Sequence, residues 1–214
     1  MLIPIKSFDL AKGRLSEAIA PAQRAALAEH MAGTVIAAAR DLSVWVICGD
    51  HAVADFARAN GAHVIWRAPR GLNGAIEDGT EHLLACGFDR AIIAHADLPL
   101  ATDLTFLDRT GDVVALVPDR RSDGSNVLSI PLGRGFTFHY GPGSAAAHKA
   151  ETERLGLPFE VVIDEELGWD VDVPEDLAVL DSDILDSDIL DSDILDSDTL
   201  DSTSTPRQPG DATS

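Results

Sequence analysis

Short apolar runs alternate with longer amphipathic segments over the first 180 residues of the chain. The short runs are rich in β-branched and aromatic residues and are bounded by turn-forming residues, a pattern typical of strands in a sheet. Strands are predicted at 2–5, 44–48, 63–66, 91–94, 113–117, 126–130 and 159–163.

Helices are predicted between the early strands, at 21–40, 51–60 and 73–86. The first is the clearest, because Pro21 suits a first helical turn and a single apolar stripe follows it. Strands that alternate with helices predict one α/β domain, with a mainly parallel central sheet flanked by helices. The residues of the apolar stripe are Leu27, Met31, Val35 and Ala38.

From residue 180 onward the sequence becomes a repeat of LDSDI, whose period of five residues matches neither a helix nor a strand. Residues 180–214 hold ten Asp, with Arg207 as the only cation. We expect an acidic, disordered tail here and a folded domain over 1–179. Calcium binding and partner docking are alternatives for the tail, but the repeat lacks the glycines and the distal Glu of a calcium loop.

The chain has 36 acidic and 16 basic side chains among 214 residues, a formal net charge of −20. This charge argues against nucleic acid or an anionic membrane as the main partner. No apolar run approaches the roughly 20 residues that span a bilayer, and none resembles a signal-peptide core, so we expect a soluble, cytoplasmic protein. Cys48 and Cys86 lie in apolar stretches outside any CxxC spacing, so we expect both to be buried and neither to bind metal.

The loop after the first strand is basic. In parallel α/β sheets ligands bind beyond the carboxyl ends of the strands, so loops in this position are candidates for chemistry. This loop holds Lys6, Lys12 and Arg14 together with Gly13. In so acidic a chain the cluster indicates an anion site, for which a polyphosphate is the natural ligand. The alternative is an ordinary solvated loop, because the segment is not a Walker sequence and lacks GxGxxG.

Carboxylates follow two other predicted strands. Asp97 comes after the apolar run 91–94, where it would offer a hard oxygen ligand to magnesium. The alternative is that Asp97 organises a turn or caps the following helix. Asp170 and Asp172 are two positions apart, so on an extended segment they share one side, and two adjacent carboxylates favour a cation between them. The alternative is that Asp172 or a neighbour caps a helix that begins near Pro174.

Two loops of small residues, 120–126 and 139–148, follow the later strands. In the second, glycines and Ser144 precede an Ala-rich segment, so backbone N–H groups and the Ser144 hydroxyl are candidates to hold a phosphate or carboxylate at a helix start. A glycine turn with an N-cap serine is the alternative. None of the nearby histidines has a spacing typical of a metal ligand or a base; they are His95, His139 and His148.

These segments occur in a specific order: IPIKSFDLAKGRLS, GLNGAI, HADLPL, PDRRSDGSNVL, FHYGPGSAAAH and DVDVPEDL. In that order they resemble the guanylyltransferases of coenzyme F-420 biosynthesis, the CofC/FbiD family. The resemblance extends from the first strand to about residue 179, and six ordered segments are far more specific than any one of them. Ser125 stands where the family often has Thr, which retains the hydroxyl group.

The resemblance implies a single-domain nucleotidyltransferase of the GT-A or MobA-like type. It implies transfer of GMP from GTP, with Mg2+, to a phosphorylated three-carbon acid and release of pyrophosphate. That acid is phosphoenolpyruvate, 2-phospho-L-lactate or 3-phospho-D-glycerate, and the product would pass to the downstream F-420 transferase. A homodimer is the base-rate expectation for the oligomeric state.

The resemblance also assigns roles to residues of this sequence. The implied metal ligands are Asp97, Asp170 and Asp172. The nucleotide and its phosphates are implied to contact Lys6, Lys12, Arg14, Leu72 and Asn73. The acid is implied to contact Ser125, Gly141 and Ser144. The groups implied to act on the reacting phosphates are Lys12, Arg14 and Asp97.

Two other functions fit parts of this pattern. A molybdopterin-type nucleotidyltransferase would use CTP or GTP and a pterin, although the GPGS and SDGSN segments suit a small acid better. A non-catalytic nucleotide-binding module would dock a partner through the acidic tail, although three candidate metal carboxylates beside a basic loop argue against it. A guanylyltransferase of this type needs no general base, because a substrate phosphate with a second pKa of about 6 is largely ionised near neutral pH.

Overall fold

Seven strands form a single sheet, and each overlaps a run that the sequence predicted to be a strand. A computed structural model describes residues 1–68 and 70–180. The acidic tail that was predicted lies, from residue 181 on, outside these described residues. The strands are β1 (Leu2–Pro4), β2 (Trp45–Cys48), β3 (His63–Trp66), β4 (Arg90–Ala94), β5 (Val114–Pro118), β6 (Ser125–Pro131) and β7 (Phe159–Val161).

Helices cover both faces of the sheet, and the predicted ones begin and end within two residues of the observed bounds. All four residues of the predicted apolar stripe in the first helix are buried. The helices are α1 (Pro21–Ala38), α2 (His51–Ala59), α3 (Gly71–Ala85) and α4 (Ser144–Arg154). Shorter 3-10 helices lie at Gly13–Leu15, Thr105–Leu107 and Pro174–Val179.

The strand order is β3-β2-β1-β4-β6-β5-β7. All pairings are parallel except those of β6, which runs antiparallel to both of its neighbours, β4 and β5. The prediction of a mainly parallel sheet flanked by helices is therefore confirmed. In the β4–β6 pairing Ala94 lies opposite Val127, so β6 begins at the edge of the sheet where β4 ends.

The core consists of two apolar clusters, one on each face of the sheet. Successive side chains of a strand point to opposite faces. In β1, Ile3 accordingly packs in the cluster that contains the buried side of α1, and Leu2 packs in the cluster that contains Ile76 and Leu83 of α3. Central strands that are apolar on both faces are typical of a sheet covered by helices on both sides.

The prediction that both cysteines are buried is wrong for Cys86. Cys48 is buried, but Cys86 is exposed, because it is the C-cap residue of α3 and lies where the helix leaves the sheet. Over the described part of the chain, no helix combines the length and the apolar character needed to cross a membrane.

Candidate active site

Strand β6 delivers Ser125 to the edge of the sheet where the parallel strands end. Because β6 is antiparallel, its first residue lies at the edge that the last residues of β4 reach. The backbone N–H of His95, which follows β4, donates to the carbonyl of Asn126 at 3.0 Å. The loop that precedes β6 therefore joins the loops that follow the parallel strands.

A cleft of about 590 Å³ opens at this edge of the sheet. Ten of the eleven site residues that the resemblance implied line it. A neighbouring cleft of about 410 Å³ continues toward β2 and shares Lys6 and Leu72 with the first. The residues that line the first cleft are Lys6, Lys12, Arg14, Leu72, Asp97, Ser125, Gly141, Ser144, Asp170 and Asp172.

The eleventh residue, Asn73, binds a neighbouring loop. Its Oδ1 accepts a hydrogen bond from the Tyr140 N–H at 2.7 Å, and its Nδ2 donates to the Tyr140 carbonyl at 3.1 Å. Both ends of the amide are therefore bonded to the backbone of one residue. Asn73 fixes the first turn of α3 to the loop that carries Gly141.

The basic loop and the candidate metal carboxylates face each other directly. The Lys12 ammonium lies 2.5 Å from Asp97 Oδ2 and 3.5 Å from Asp172 Oδ1. Only 9% of the Lys12 side chain is exposed, and its backbone has the left-handed φ of 55°. The Arg14 guanidinium, which is largely exposed, lies 3.3 Å from Asp172 Oδ2.

These contacts shift the pKa values of the charged groups. Burial lowers the pKa of Lys12, but the charges of Asp97 and Asp172 outweigh burial and leave this pKa raised. Burial likewise raises the pKa of Asp97, but Lys12 and then His95 outweigh it and leave the pKa lowered. The pKa of Asp170 is raised by burial first, and then by the charge of Asp97. Asp97 is thus held ionised, whereas among the described residues no cation pairs with Asp170.

The oxygen atoms of this cluster fit a divalent cation. Among the described residues, Asp97 Oδ1 and Asp170 Oδ1 are buried oxygens with no hydrogen-bond partner. Carboxylate oxygens are the ligands that Mg2+ prefers. Within residues 1–68 and 70–180, no three His, Cys, Asp or Glu side chains form a ready-made metal cage. The Lys12 ammonium instead balances the charge of Asp97 and Asp172.

The helix after the Asp170–Asp172 segment is not capped by Asp172. Its N-cap residue is Val173, and the carboxylate that receives backbone N–H groups belongs to Asp176. Asp176 Oδ2 accepts from the N–H groups of Asp172 at 2.8 Å and Val173 at 2.9 Å. Asp176 lies inside the helix and Val173 has no polar side chain, so no carboxylate stands at the N-cap, and Asp172 lines the cleft.

Asp176 also joins this segment to the loop after β5. Its side chain is fully buried and accepts hydrogen bonds from both Arg120 and Arg121. The Arg120 guanidinium lies 4.1 Å from the centre of the Trp169 ring, a cation–π geometry. The Trp169 indole N–H donates to the Asp176 carbonyl at 3.3 Å. The contacts of Asp176 and Trp169 therefore hold the backbone that carries Asp170 and Asp172 in place.

The alternative of an N-cap role for Ser144 is wrong, because the N-cap of α4 is Gly143, whose φ is 72°. The backbone N–H groups at this helix start are already bonded. The Gly143 N–H donates to Asp123 Oδ2 at 2.9 Å, and the Ala145 N–H donates to the Asp123 carbonyl at 3.0 Å. The Ser144 N–H donates to the Gly141 carbonyl at 3.1 Å. These three N–H groups are therefore not free for a ligand, whereas Ser125 and Ser144 line the cleft.

The Ser144 hydroxyl donates to Ser125 Oγ at 3.0 Å, and Ser125 Oγ also lies 2.9 Å from His148 Nδ1. All three side chains are buried. The sequence analysis did not assign His148 to the site. A usable signal was present, because residues four apart on a helix are neighbours, and His148 lies four positions after Ser144.

Other lining residues were also missed. Tyr140 is buried, and burial raises the pKa of its hydroxyl. These missed residues follow strands or lie in the small-residue loops, but tertiary contacts determine whether their side chains point into the cleft. They are His95, Asp119, Arg121, Asp123, Asn126 and Tyr140.

A family model described as "Guanylyl transferase CofC like" matches residues 1–185. The chain belongs to this family. Relatives that are named for different acid substrates align with most of this chain. A phosphoenolpyruvate guanylyltransferase from Rubrobacter xylanophilus is 33% identical over 189 residues, covering 85% of this chain and 92% of that protein.

Two further CofC-like relatives carry other substrate names. A 2-phospho-L-lactate guanylyltransferase from Methanothermobacter thermautotrophicus is 32% identical and covers 83% of this chain and 81% of its own length. A 3-phospho-D-glycerate guanylyltransferase from Phenylobacterium zucineum is 34% identical and covers 78% of this chain and 82% of its own length. Identity to these family members therefore does not separate the three acids.

Solved structures share the fold of this CofC-like chain. A nucleotidyl transferase from Methanothermobacter superposes with a TM-score of 0.56 at 16% identity, covering 87% of this chain and 98% of that one. A Desulfovibrio desulfuricans structure named for the nucleotide-diphospho-sugar transferases gives a TM-score of 0.64 at 17% identity, covering 85% and 86% of the two chains. The fold class is that of the nucleotidyltransferases, as the sequence analysis expected.

Proposed function

We propose that this protein transfers GMP from GTP to a phosphorylated three-carbon acid and releases pyrophosphate. The acid is phosphoenolpyruvate, 2-phospho-L-lactate or 3-phospho-D-glycerate, the substrates for which its relatives are named. An oxygen of the acid's phosphate attacks the α-phosphorus of GTP. The bond from that phosphorus to the bridging oxygen breaks, and pyrophosphate leaves with the electron pair.

One observation supports this proposal above the others. One cleft is lined both by a cluster of carboxylates and cations and by a pair of buried hydroxyls. The cluster suits a nucleotide triphosphate with its metal, and the hydroxyl pair suits a smaller anion. A site that must bring two anions together needs both kinds of surface.

The cations of the first loop neutralise charge in this mechanism. Lys12 and Arg14 are proposed to bind the phosphates that become pyrophosphate, and Lys6 to contact the nucleotide nearby. Preorganised cations at the point where charge develops lower the barrier, because they need no reorganisation during the reaction. The substrate phosphate is already ionised, so no side chain has to remove a proton.

We propose Asp97, Asp170 and Asp172 as the residues that hold Mg2+, supported by the unpartnered oxygens of Asp97 and Asp170. When bound, Mg2+ supplies Lewis-acid stabilisation of charge on the phosphoryl oxygens. With Mg2+ held by these carboxylates, the Lys12 ammonium would be released from its ion pairs with Asp97 and Asp172 and would be free to contact phosphate oxygens.

In the same cleft, Ser125, Gly141 and Ser144 are proposed to hold the acid. Leu72 is proposed to contact the nucleoside, and Asn73 to position the Tyr140–Gly141 backbone through its two hydrogen bonds. The proposal places the reaction in the cytoplasm and in F-420 biosynthesis, with transfer of the product to the next enzyme. The folded domain of 1–179 is proposed to act without the LDSDI repeat, in a homodimer or a monomer.

The test is pyrophosphate release from GTP with Mg2+, measured separately with the three acids. The downstream transferase and its deazaflavin acceptor are included to draw off a labile product. We expect release with GTP and a clear preference for one acid. A chain ended at residue 180 is expected to retain the rate.

Other outcomes identify the alternative functions. Release only with CTP and a pterin would make the protein a molybdopterin-type nucleotidyltransferase. GTP binding without release in any mixture would indicate a nucleotide-binding module. Loss of function on removal of the tail would indicate partner docking through the repeat.

A further inference from the structure

Three buried side chains form a hydrogen-bonded chain that ends in the cleft. Ser144, Ser125 and His148 are 2%, 1% and 0% exposed. Ser144 Oγ lies 3.0 Å from Ser125 Oγ, and Ser125 Oγ lies 2.9 Å from His148 Nδ1. Both serines line the cleft, whereas His148 lies behind them. The mechanism proposed above gives His148 no role.

The far side of the His148 ring fixes the position of its proton. The backbone N–H of His139 donates to His148 Nε2 at 3.0 Å. An amide N–H cannot accept a hydrogen bond, so Nε2 must be the unprotonated nitrogen. In a neutral imidazole the other nitrogen then carries the hydrogen. His148 Nδ1–H therefore donates to Ser125 Oγ.

This direction determines where the serine hydrogens point. Each hydroxyl has one hydrogen to donate, and the two serines share a single hydrogen bond. The hydrogen from Ser144 fills that bond, and His148 supplies a further hydrogen to Ser125 Oγ. Because Ser144 and His148 both donate to Ser125 Oγ, neither can accept the Ser125 hydrogen. That hydrogen is therefore left to point into the cleft. Reversing the serine–serine bond would leave the Ser144 hydrogen for the cleft instead.

We propose that His148 is a positioning residue that orients a serine hydroxyl as a fixed hydrogen-bond donor to an anionic oxygen of the acid substrate. This inference rests on the function proposed above. The arrangement is opposite to that of a hydrolase, in which histidine accepts the serine proton and activates a nucleophile. Here histidine donates, so Ser125 is a ligand for an anion and is not a nucleophile.

The surroundings of His148 support a neutral ring. Burial, followed by the charges of His139 and His95, lowers the pKa of His148 to about 4, although Glu151 acts in the opposite direction. Tyr140 packs against the ring edge-on, with ring centres 4.7 Å apart. A protonated ring would have two N–H groups and would lose the hydrogen bond from His139.

The kinetic test uses the full chain and variants of these side chains. In His148→Phe a planar aromatic ring is kept and both hydrogen bonds are lost, so KM for the acid should rise about 10- to 100-fold, the value of a hydrogen bond to a charged group. KM for GTP should change less than twofold. His148→Asn retains an N–H near the Nδ1 position and should recover most of the loss. His139→Ala is the matched control, because it keeps the backbone N–H.

A double-mutant cycle separates positioning from packing. Ser125→Ala should raise KM for the acid to a similar extent, and adding His148→Phe to it should cause little further loss, since both remove the same donor. Additive effects of the two substitutions would overturn the proposal. Equal loss of GTP and acid binding in His148→Phe would also overturn it, as would normal acid binding in a folded variant.

A second readout does not depend on activity. Nitrogen-15 NMR of histidine-labelled protein distinguishes the two neutral tautomers, and the signal that disappears in His148→Asn among the seven histidines identifies His148. We expect the Nδ1–H tautomer from pH 6 to 8. An Nε2–H tautomer or a charged ring would reject the positioning role. If the tautomer is confirmed but no acid supports pyrophosphate release, the proposed function is wrong, whereas the orientation of a serine hydroxyl by His148 still holds.

Discussion

The Lys12 ammonium lies 2.5 Å from Asp97 Oδ2, although the two residues are 85 positions apart in the chain. The left-handed backbone of Lys12 turns the basic loop toward the end of β4. The only other carboxylate that the described structure places within ion-pair distance of Lys12 is Asp172. The basic loop and the carboxylates Asp97 and Asp172 thus form one electrostatic unit.

Asp97→Asn should remove turnover while the protein stays folded. The substitution keeps the shape of the side chain and removes the charge that lies against Lys12 and faces the cleft. We expect kcat to fall by about 100-fold or more, the scale of loss when a preorganised electrostatic group is removed. Pyrophosphate release measures this effect, and circular dichroism checks the fold.

A matched control for that variant is Asp55→Asn, because Asp55 is an exposed carboxylate on α2 that pairs with Arg58. It should leave both turnover and stability unchanged, since exposed pairs contribute at most about 1 kcal/mol. Near-normal activity of folded Asp97→Asn would remove Asp97 from the proposed metal site.

Asp176→Ala should lower both stability and activity. The fully buried carboxylate binds Arg120 and Arg121 together with two backbone N–H groups. Breaking such a buried network costs about 3 kcal/mol, because its donors lose their acceptor. Release of the Asp172 backbone should also reduce kcat/KM at temperatures where the protein remains folded. Urea unfolding and pyrophosphate release measure the two effects.

The control for this variant is Glu175→Ala, one residue away in the same short helix. Glu175 is exposed, so the substitution should change the free energy of unfolding by less than about 0.5 kcal/mol. Equal destabilisation by both substitutions would mean that the helix, and not the buried carboxylate, anchors the segment.

The sequence predicts the fold well because burial and periodicity agree along most of the chain. The apolar stripe of α1 is buried as its spacing requires, and every strand overlaps an apolar run. The direction of β6 is a different matter. Periodicity is the same for parallel and antiparallel strands, so only the pairing of β6 with β4 reveals that Ser125 lies at the ligand-binding edge.

The residues of the site likewise fall into those that the sequence predicts and those that it does not. Residues with a chemical signature, such as Asp97, can be predicted from the sequence to line the cleft because strand ends meet at one edge. Supporting residues are not, because their roles depend on contacts between distant segments. Asp176 reads as an ordinary acidic residue in a first helical turn, yet its partners come from the loop after β5. His148 has no spacing typical of a metal ligand or a base, yet it is fully buried and lies against Ser125.

Stability should fall as the pH drops below 6.5, in part because of His148. Its folded-state pKa is about 4, below the unfolded value of 6.5, so the unfolded chain binds more protons between these pH values. The contribution of the neutral ring is therefore fully present above pH 6.5 and is lost progressively toward pH 4. Its full size is at most about 3 kcal/mol.

The measurement is urea unfolding of wild type and His148→Asn from pH 4 to 8. Every other titratable group is present in both proteins, so the difference between the two curves isolates His148. That difference should shrink as the pH falls. A difference that is constant over the whole range would contradict a neutral buried ring.

Two helical glycines should respond to alanine with opposite signs. A Cβ at Gly79 of α3 would lie 2.6 Å from Leu2 Cδ2, and Leu2 is fully buried in β1. Gly79→Ala should therefore destabilise the protein by about 1–3 kcal/mol, the usual cost of overpacking, despite the better helix propensity of alanine. At Gly33 of α1 the nearest atom to a Cβ is Phe56 Cζ at 3.8 Å, an ordinary contact. Gly33→Ala should stabilise the protein by about 0.5–1 kcal/mol. Urea unfolding of both variants measures the two effects. Stabilisation at both positions would contradict the close approach of α3 to the sheet.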